Sequence, residues 1–298
     1  MTRLIALLAM LFSAHVHAAT VLVHEAGEIR FESPPQRIVA LNWAMVETLL
    51  GLGVTPAAVA EPEGYRTWAN HPPLPEGALD VGNRREPNLE AISQARPDLI
   101  LVSSDLHSML PAFEAIAPTA VYTLFEPGQD AASRAAEVVQ QIAEGLDRAA
   151  QGQALLDGVA QQQAEYAAQL KAAERTDEPV LLMSFLDERS LRVHAPNALL
   201  STALEELGLR NAWDGESNFW GFATINLAQL GKYPDAHFLI IRPTPPGLQQ
   251  ALQRNPVWRA LQPVKAGRVT EVPPVWTFGS VMTKARMGQV LTETWLDQ

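Results

Sequence analysis

Residues 146–174, LDRAAQGQALLDGVAQQQAEYAAQLKAAE, contain no proline and almost no β-branched residue. Ala, Gln, Glu and Leu dominate, and Leu155, Val159, Tyr166 and Leu170 recur at helical spacing. This pattern predicts one helix of roughly 40 Å at ~1.5 Å per residue. The same composition begins upstream, near Ala131. Gly152 and Gly158 oppose an unbroken helix, so two helices with a break are the alternative.

The segments on either side have a different texture. Upstream, RIVAL (37–41), TPAAVAE (55–61), DLILVSS (98–104) and TAVYTL (119–124) are short apolar runs. Helical patterns separate them, one opening at Asn42 and one capped by Asn88. Downstream, PVLLMSFLD (179–187), HFLIIRP (237–243) and GRVTEVP (267–273) alternate with helical segments, the last being MTKARMGQVLTETWL (282–296). Short apolar runs alternating with helices predict mainly parallel sheet covered by helices. The fold class is therefore α/β, with two lobes joined by one long helix and a ligand cleft between them. The expected divisions are a leader over 1–18, an N-terminal lobe over 19–145, the connecting helix over 146–175 and a C-terminal lobe over 176–298.

The leader is expected from Arg3, the apolar run Leu4–Phe12 and the small residues Val16 and Ala18 before a cleavage point. That apolar run is too short to span a bilayer. A soluble, exported protein of the Gram-negative periplasm follows. The formal charge is −11, and losing Arg3 with the leader gives −11 − 1 = −12. Such a charge disfavours nucleic acid or anionic lipid as partner. There is no cysteine, so neither a disulfide nor a lipid on an N-terminal Cys is available.

Catalytic signatures are missing. The sequence has no G-x-S-x-G elbow, no Walker loop and no dinucleotide fingerprint. The histidines outside the leader, His24, His71, His107, His194 and His237, show no metal-ligand spacing. Neither an enzyme nor a resident cofactor is expected. What stands out is aromatic. NAWDGESNFWGFATI (211–225) sets Trp220 and Phe222 among Gly, Asn, Asp and Ser, with neither strand nor helix period. Trp43 follows RIVAL, Trp68 lies in a Pro-rich segment, and Trp276 and Phe278 follow GRVTEVPP. Ligands of α/β folds bind where loops leave the C-terminal ends of strands. These aromatics fall at such places, whereas Trp213, Trp258 and Trp295 are expected in packing. Arg84, after a Gly turn in DVGNRREPNLE, is the basic residue suited to an oxygen-rich ligand. Pairing with Glu86 on the surface is its alternative role.

RIVALNWAMVETLLGLGV (37–54), YRTWANHPPLPEGALDVGNRREPNLE (65–90), NAWDGESNFWG (211–221) and VKAGRVTEVPPVWTFG (264–279) together resemble the periplasmic ferric-hydroxamate siderophore-binding proteins. The resemblance runs from about Pro35 to Leu291. It belongs to the helix-hinged class of solute-binding proteins, which also serves cobalamin, haem and other iron chelates. It implies capture of an iron(III)–siderophore complex as ligand, with no cofactor, and delivery by a monomer to an inner-membrane ABC permease. A cobalamin, haem or other siderophore carrier is the alternative on this fold. The resemblance makes Arg84 the donor to the hydroxamate oxygens and lines the cleft with Trp43, Trp68, Trp220, Phe222, Trp276 and Phe278. It places Leu106 where the family has a tyrosine hydroxyl, with His107 beside it. Further basic residues near the cleft would be Arg66, Arg85 and Arg192.

Overall fold

A computed structural model describes residues 19–176 and 178–296. The expected leader lies outside them. The chain opens with an antiparallel hairpin, β1 (Thr20–His24) and β2 (Gly27–Phe31), which the sequence had not suggested. Then follow β3 (Ile38–Ala40), α1 (Trp43–Gly51), β4 (Ala58–Val59), α2 (Pro62–Trp68), β5 (Leu79–Asp80), α3 (Leu89–Gln94), β6 (Leu99–Val102), α4 (Leu110–Glu114) and β7 (Thr119–Val121). Strands β3 to β7 form a wholly parallel sheet in the order β5-β4-β3-β6-β7. Its central strands β3 and β6 are buried throughout, which is why they read as unbroken apolar runs. Asn42 caps α1 by accepting from the Ala44 N–H at 2.8 Å, and Asn88 caps α3 through Glu90 and Ala91.

Helices α5 (Ala131–Gly145) and α6 (Ala149–Ala172) come next, parted at Asp147, whose φ is +56°. The helix α6 has 24 residues, about 36 Å at 1.5 Å per residue, and runs through both glycines without a break. Gly152 is needed there because a Cβ would sit 2.6 Å from the Ala143 Cβ of α5. Gly158 faces open space and costs the helix only its weak propensity. Val159 and Leu170 are buried, while Leu155 and Tyr166 are half-buried, so the expected stripe is the packed face.

The remaining elements are β8 (Pro179–Phe185), β9 (Ser190–His194), α7 (Leu199–Glu206), β10 (Arg210–Asn211), β11 (Phe222–Asn226), β12 (His237–Ile241), α8 (Leu248–Arg254), α9 (Pro256–Ala260), α10 (Gln262–Lys265), β13 (Val269–Val272) and α11 (Val281–Leu296). This second sheet runs β11-β9-β8-β12-β13, with β10 also beside β8. Its β10, β8, β12 and β13 pair in parallel, and β9 and β11 add an antiparallel edge. The fold is therefore α/β as expected, but only the first sheet is parallel throughout. Trp213, Trp258 and Trp295 are buried in the second half's cores.

The closing helix α11 returns along α6 and reaches α1. There Glu47 of α1, 1 % exposed, accepts from the backbone N–H of Ser280 at 2.7 Å. The Thr283 hydroxyl lies 3.2 Å from the same carboxylate oxygen and donates to the Trp276 carbonyl at 2.8 Å. Burial pushes the Glu47 carboxyl up to about 8, against the lowering effect of these hydrogen bonds. A hydroxyl has one proton. The Thr283 proton is therefore shared between two acceptors, the Trp276 carbonyl at 2.8 Å and the Glu47 carboxyl at 3.2 Å. This contact ties the first sheet's helix layer to the segment bearing Trp276 and Phe278.

Candidate functional site

The strand order β5-β4-β3-β6-β7 reverses direction between β3 and β6, and the crevice beyond that switch point is the expected ligand position. Just past the ends of β3 and β6 stand Asn42 and Ser103. Both line a cavity of about 260 Å³ together with Ser104, Asp105, Phe125, Phe219, Trp220 and Phe278. Beside it a second cavity of about 320 Å³ is walled by Trp43, Trp68, Arg84, Arg192, Arg242, Trp276 and Phe278. The ends of β8 and β12 contribute Ser184, Phe185 and Ile241 to its floor. Phe278 belongs to both cavities, so the two form one cleft with a shared aromatic partition. A larger concavity on the second half is lined by Ala228, Gly231, Pro256, Val257 and neighbouring residues. It has no aromatic or charged lining residue and lies away from the strand ends.

Rings from both halves meet in the cleft. Trp43 touches Trp276 edge-on at 4.6 Å between centroids. Phe125 stacks on Trp220 at 5.4 Å and meets Phe278 edge-on at 5.8 Å. Trp220 and Trp276 also reach Phe278, at 5.6 and 5.5 Å. These are the offset and edge-to-face arrangements that ring quadrupoles favour.

The aromatic stretch of 211–225 has a local explanation. Residues 218–221 make a tight turn, with the Gly221 N–H donating to the Asn218 carbonyl at 3.0 Å. The Asn218 side chain accepts from the Phe222 N–H. Gly221 has φ +80°, and a Cβ there would meet the Ala198 backbone 2.4 Å away. The turn holds Phe219 and Trp220 out toward the first half, and β11 begins at Phe222. A segment expected as loop is thus half turn, half edge strand.

Trp43 forms the inner wall. It is 2 % exposed, and its indole N–H donates to the Ala60 carbonyl at 3.0 Å. Trp68 stands at the rim, 44 % exposed, as the last residue of α2 rather than in a loop. Arg84 lines the same cavity. Its guanidinium sits 3.6 Å over the Trp43 ring and 5.2 Å from that of Trp276. Its Nε donates to Glu61 at 2.8 Å, so its charge partner is Glu61 and not Glu86. The terminal nitrogens have no partner among the described residues and are available to a ligand. Phe222 is half-buried beneath Arg192, whose guanidinium is 4.5 Å over its ring.

Leu106 lies outside this assembly. It is 3 % exposed and packs in the core with Leu110 and Phe113. The short 3₁₀ turn of Ser104–Met109 turns its side chain inward, while Ser103, Ser104 and Asp105 face the cleft. His107 is exposed and lines neither cavity. Arg66 is bound to Glu63 and the Pro75 carbonyl, and Arg85 lines neither cavity. Several lining residues went unnoticed in the sequence, Phe125 and Arg242 among them. Phe125 follows strand β7, and Arg242 follows β12; their place just past a strand's C-terminal end was the available signal.

Among the described residues no three His, Asp or Glu side chains come together as a metal shell. His194 borders the cleft but is 2 % exposed, within 3.1 Å of the Ser184 hydroxyl, and burial lowers its pKa to about 4. Tyr122 is fully buried and donates to the Val23 carbonyl. The cleft therefore offers polar donors and flat rings, and no free imidazole or phenol.

The chain is 34 % identical over 259 residues to the iron(3+)-hydroxamate-binding protein FhuD of Escherichia coli, covering 86 % of each. It is 26 % identical over 272 residues to the Fe(3+) dicitrate-binding periplasmic protein FecB of the same organism, covering 88 % of this chain and 85 % of FecB. The crystal structure of the Fe3+–Desferal-bound siderophore-binding protein FhuD from Vibrio cholerae superposes with a TM-score of 0.83 at 30 % identity, covering 88 % of this chain and 98 % of that one. Residues 38–275 match the family described as periplasmic binding protein, and the chain belongs to that family.

Proposed function

We propose that this protein captures ferric hydroxamate siderophores in the periplasm and hands them to an inner-membrane ABC importer. It is a binding protein, as its relatives are, and not an enzyme. The observation that carries the ligand class is Arg84. Its guanidinium lies over the Trp43 ring with Trp276 beside it, its Nε is spent on Glu61, and it lines the cleft with its outer nitrogens unpartnered among the described residues. A ferric trihydroxamate presents a ring of oxygens with no net charge, which one oriented fork can serve. The partly apolar arms need flat surfaces, which Trp68, Trp220, Trp276 and Phe278 supply. The matching relative and structure, whose names give hydroxamate and Desferal ligands, support the same class.

We take Trp43, Trp68, Arg84, Trp220, Trp276 and Phe278 as ligand-contacting residues, and add Phe125; Phe222 lines neither cavity and instead backs Arg192 and Phe278. Leu106 is left out because its side chain is in the core. Haem is disfavoured, since His194, the only lining histidine among the described residues, is buried and engaged. Export by cleavage of residues 1–18 and action as a monomer belong to the same proposal, as does a two-lobe division hinged on α6. The test is tryptophan fluorescence titrated with ferrichrome, ferrioxamine, a ferric catecholate and cobalamin. Saturable quenching by the two hydroxamates, weakened in Arg84→Ala, supports the proposal. Quenching by cobalamin or the catecholate alone defeats it.

A further inference from the structure

The acidic lining residues of the cleft, Asp105 and Glu126, belong to the first cavity, and the charge of the second is at odds with the charge of the chain. The protein carries a formal −11, yet the Arg84 cavity is lined by Arg84, Arg192 and Arg242 and by no Asp or Glu. Arg84 is balanced by Glu61 behind it. Arg192 and Arg242 make no ion pair among the described residues. Arg192 sits mid-strand on β9, facing Ser184 on one neighbour and Thr224 on the other. Its Nε is buried with no hydrogen-bond partner. Arg242 is exposed at the end of β12, where a ligand can reach it.

A neutral trihydroxamate needs only Arg84. Covering two further guanidiniums with a bulky neutral ligand would strip their water and give nothing back. A ligand arm ending in a carboxylate would instead pair with them. Resting on the hydroxamate assignment above, we propose that Arg192 and Arg242 form an anion-receiving position in the cleft, and that the preferred ligand is a ferric hydroxamate bearing a free carboxylate.

The test uses one iron centre with three tails. Ferrioxamine B ends in an ammonium group, its N-acetyl derivative in a neutral amide and its N-succinyl derivative in a carboxylate. Binding of each to the full protein is measured by calorimetry at low and at high salt. The expected order is succinyl over acetyl over amine. The succinyl form should lead the acetyl form by roughly tenfold or more, the worth of a charge-assisted hydrogen bond, and salt should narrow that lead. Arg192→Gln with Arg242→Gln should bring the succinyl-to-acetyl ratio close to one. Arg242→Gln alone, at an exposed position, should lower the ratio without any burden on folding. Equal affinities for the three tails, or a lead that survives in both variants, overturns the anion position while leaving the hydroxamate assignment intact. Failure of all three to bind overturns the hydroxamate assignment and the anion position together.

Discussion

Replacing Glu47 by Gln removes the ionisable group at the junction of α1 and α11 and keeps its shape. In the folded protein burial lifts this carboxyl from 4.5 to about 8. Between those values the folded state holds a proton that the unfolded state has released. The unfolded state then binds fewer protons, so stability falls as pH rises across that window. One proton corresponds to at most ~1.4 kcal/mol per pH unit, and the whole window to an upper bound of about 5 kcal/mol. His194 works in the opposite sense. Its folded pKa is lowered to about 4, so it adds stability as pH climbs from there to 6.5 and nothing further above that. Above pH 6.5 the wild-type slope from Glu47 is therefore unopposed by His194. Urea unfolding of wild type and Glu47→Gln at pH 5, 6.5, 8 and 9 isolates the carboxyl. The variant should match the wild type near pH 5 and exceed it progressively toward pH 8. Identical pH slopes in the two proteins would refute the buried, protonated carboxyl.

Further outcomes follow from the cleft. Arg84→Ala should weaken ferric hydroxamate binding by about 1.5–3 kcal/mol, read by calorimetry, because a hydrogen bond from a charged donor is lost. Phe125→Ala should loosen the same ligand, and a double-mutant cycle with Trp220→Ala should give a coupling of about 0.5–1.5 kcal/mol for the stacked pair. Gly221→Ala should cost at least ~1 kcal/mol in thermal unfolding, since the turn demands positive φ and the Ala198 backbone blocks a Cβ.

The sequence disclosed what was buried on both sides. Strands β3, β6, β8 and β12 are enclosed by helices and read as apolar runs, and Asn42 and Asn88 announced their helices. It concealed what lies at edges. The strand β5 is two exposed residues long, and β9 and β11 form an antiparallel margin whose outward residues include Arg192 and Thr224. The long helix was legible despite Gly152, because only packing against Ala143 explains that glycine. Trp43, Trp68, Arg84, Trp220, Trp276 and Phe278 were expected from their neighbours and from family resemblance, and they line the two cavities. Leu106, matched to the family's tyrosine along the chain, lies in a core cluster, because such a match does not tell which way a 3₁₀ turn points its side chain. Arg242 and Phe125 were hidden in what looked like strand ends, and only the meeting of two sheets shows what they face.

The most direct measurement is anomalous diffraction at the iron absorption edge from crystals of the protein grown with ferrioxamine. The iron should appear within the cleft, with ligand oxygens in hydrogen-bond reach of the Arg84 terminal nitrogens and organic arms against Trp220, Trp276 and Phe278. Iron bound elsewhere, or a cleft filled with no ligand contact to Arg84, would contradict the assignment of this site.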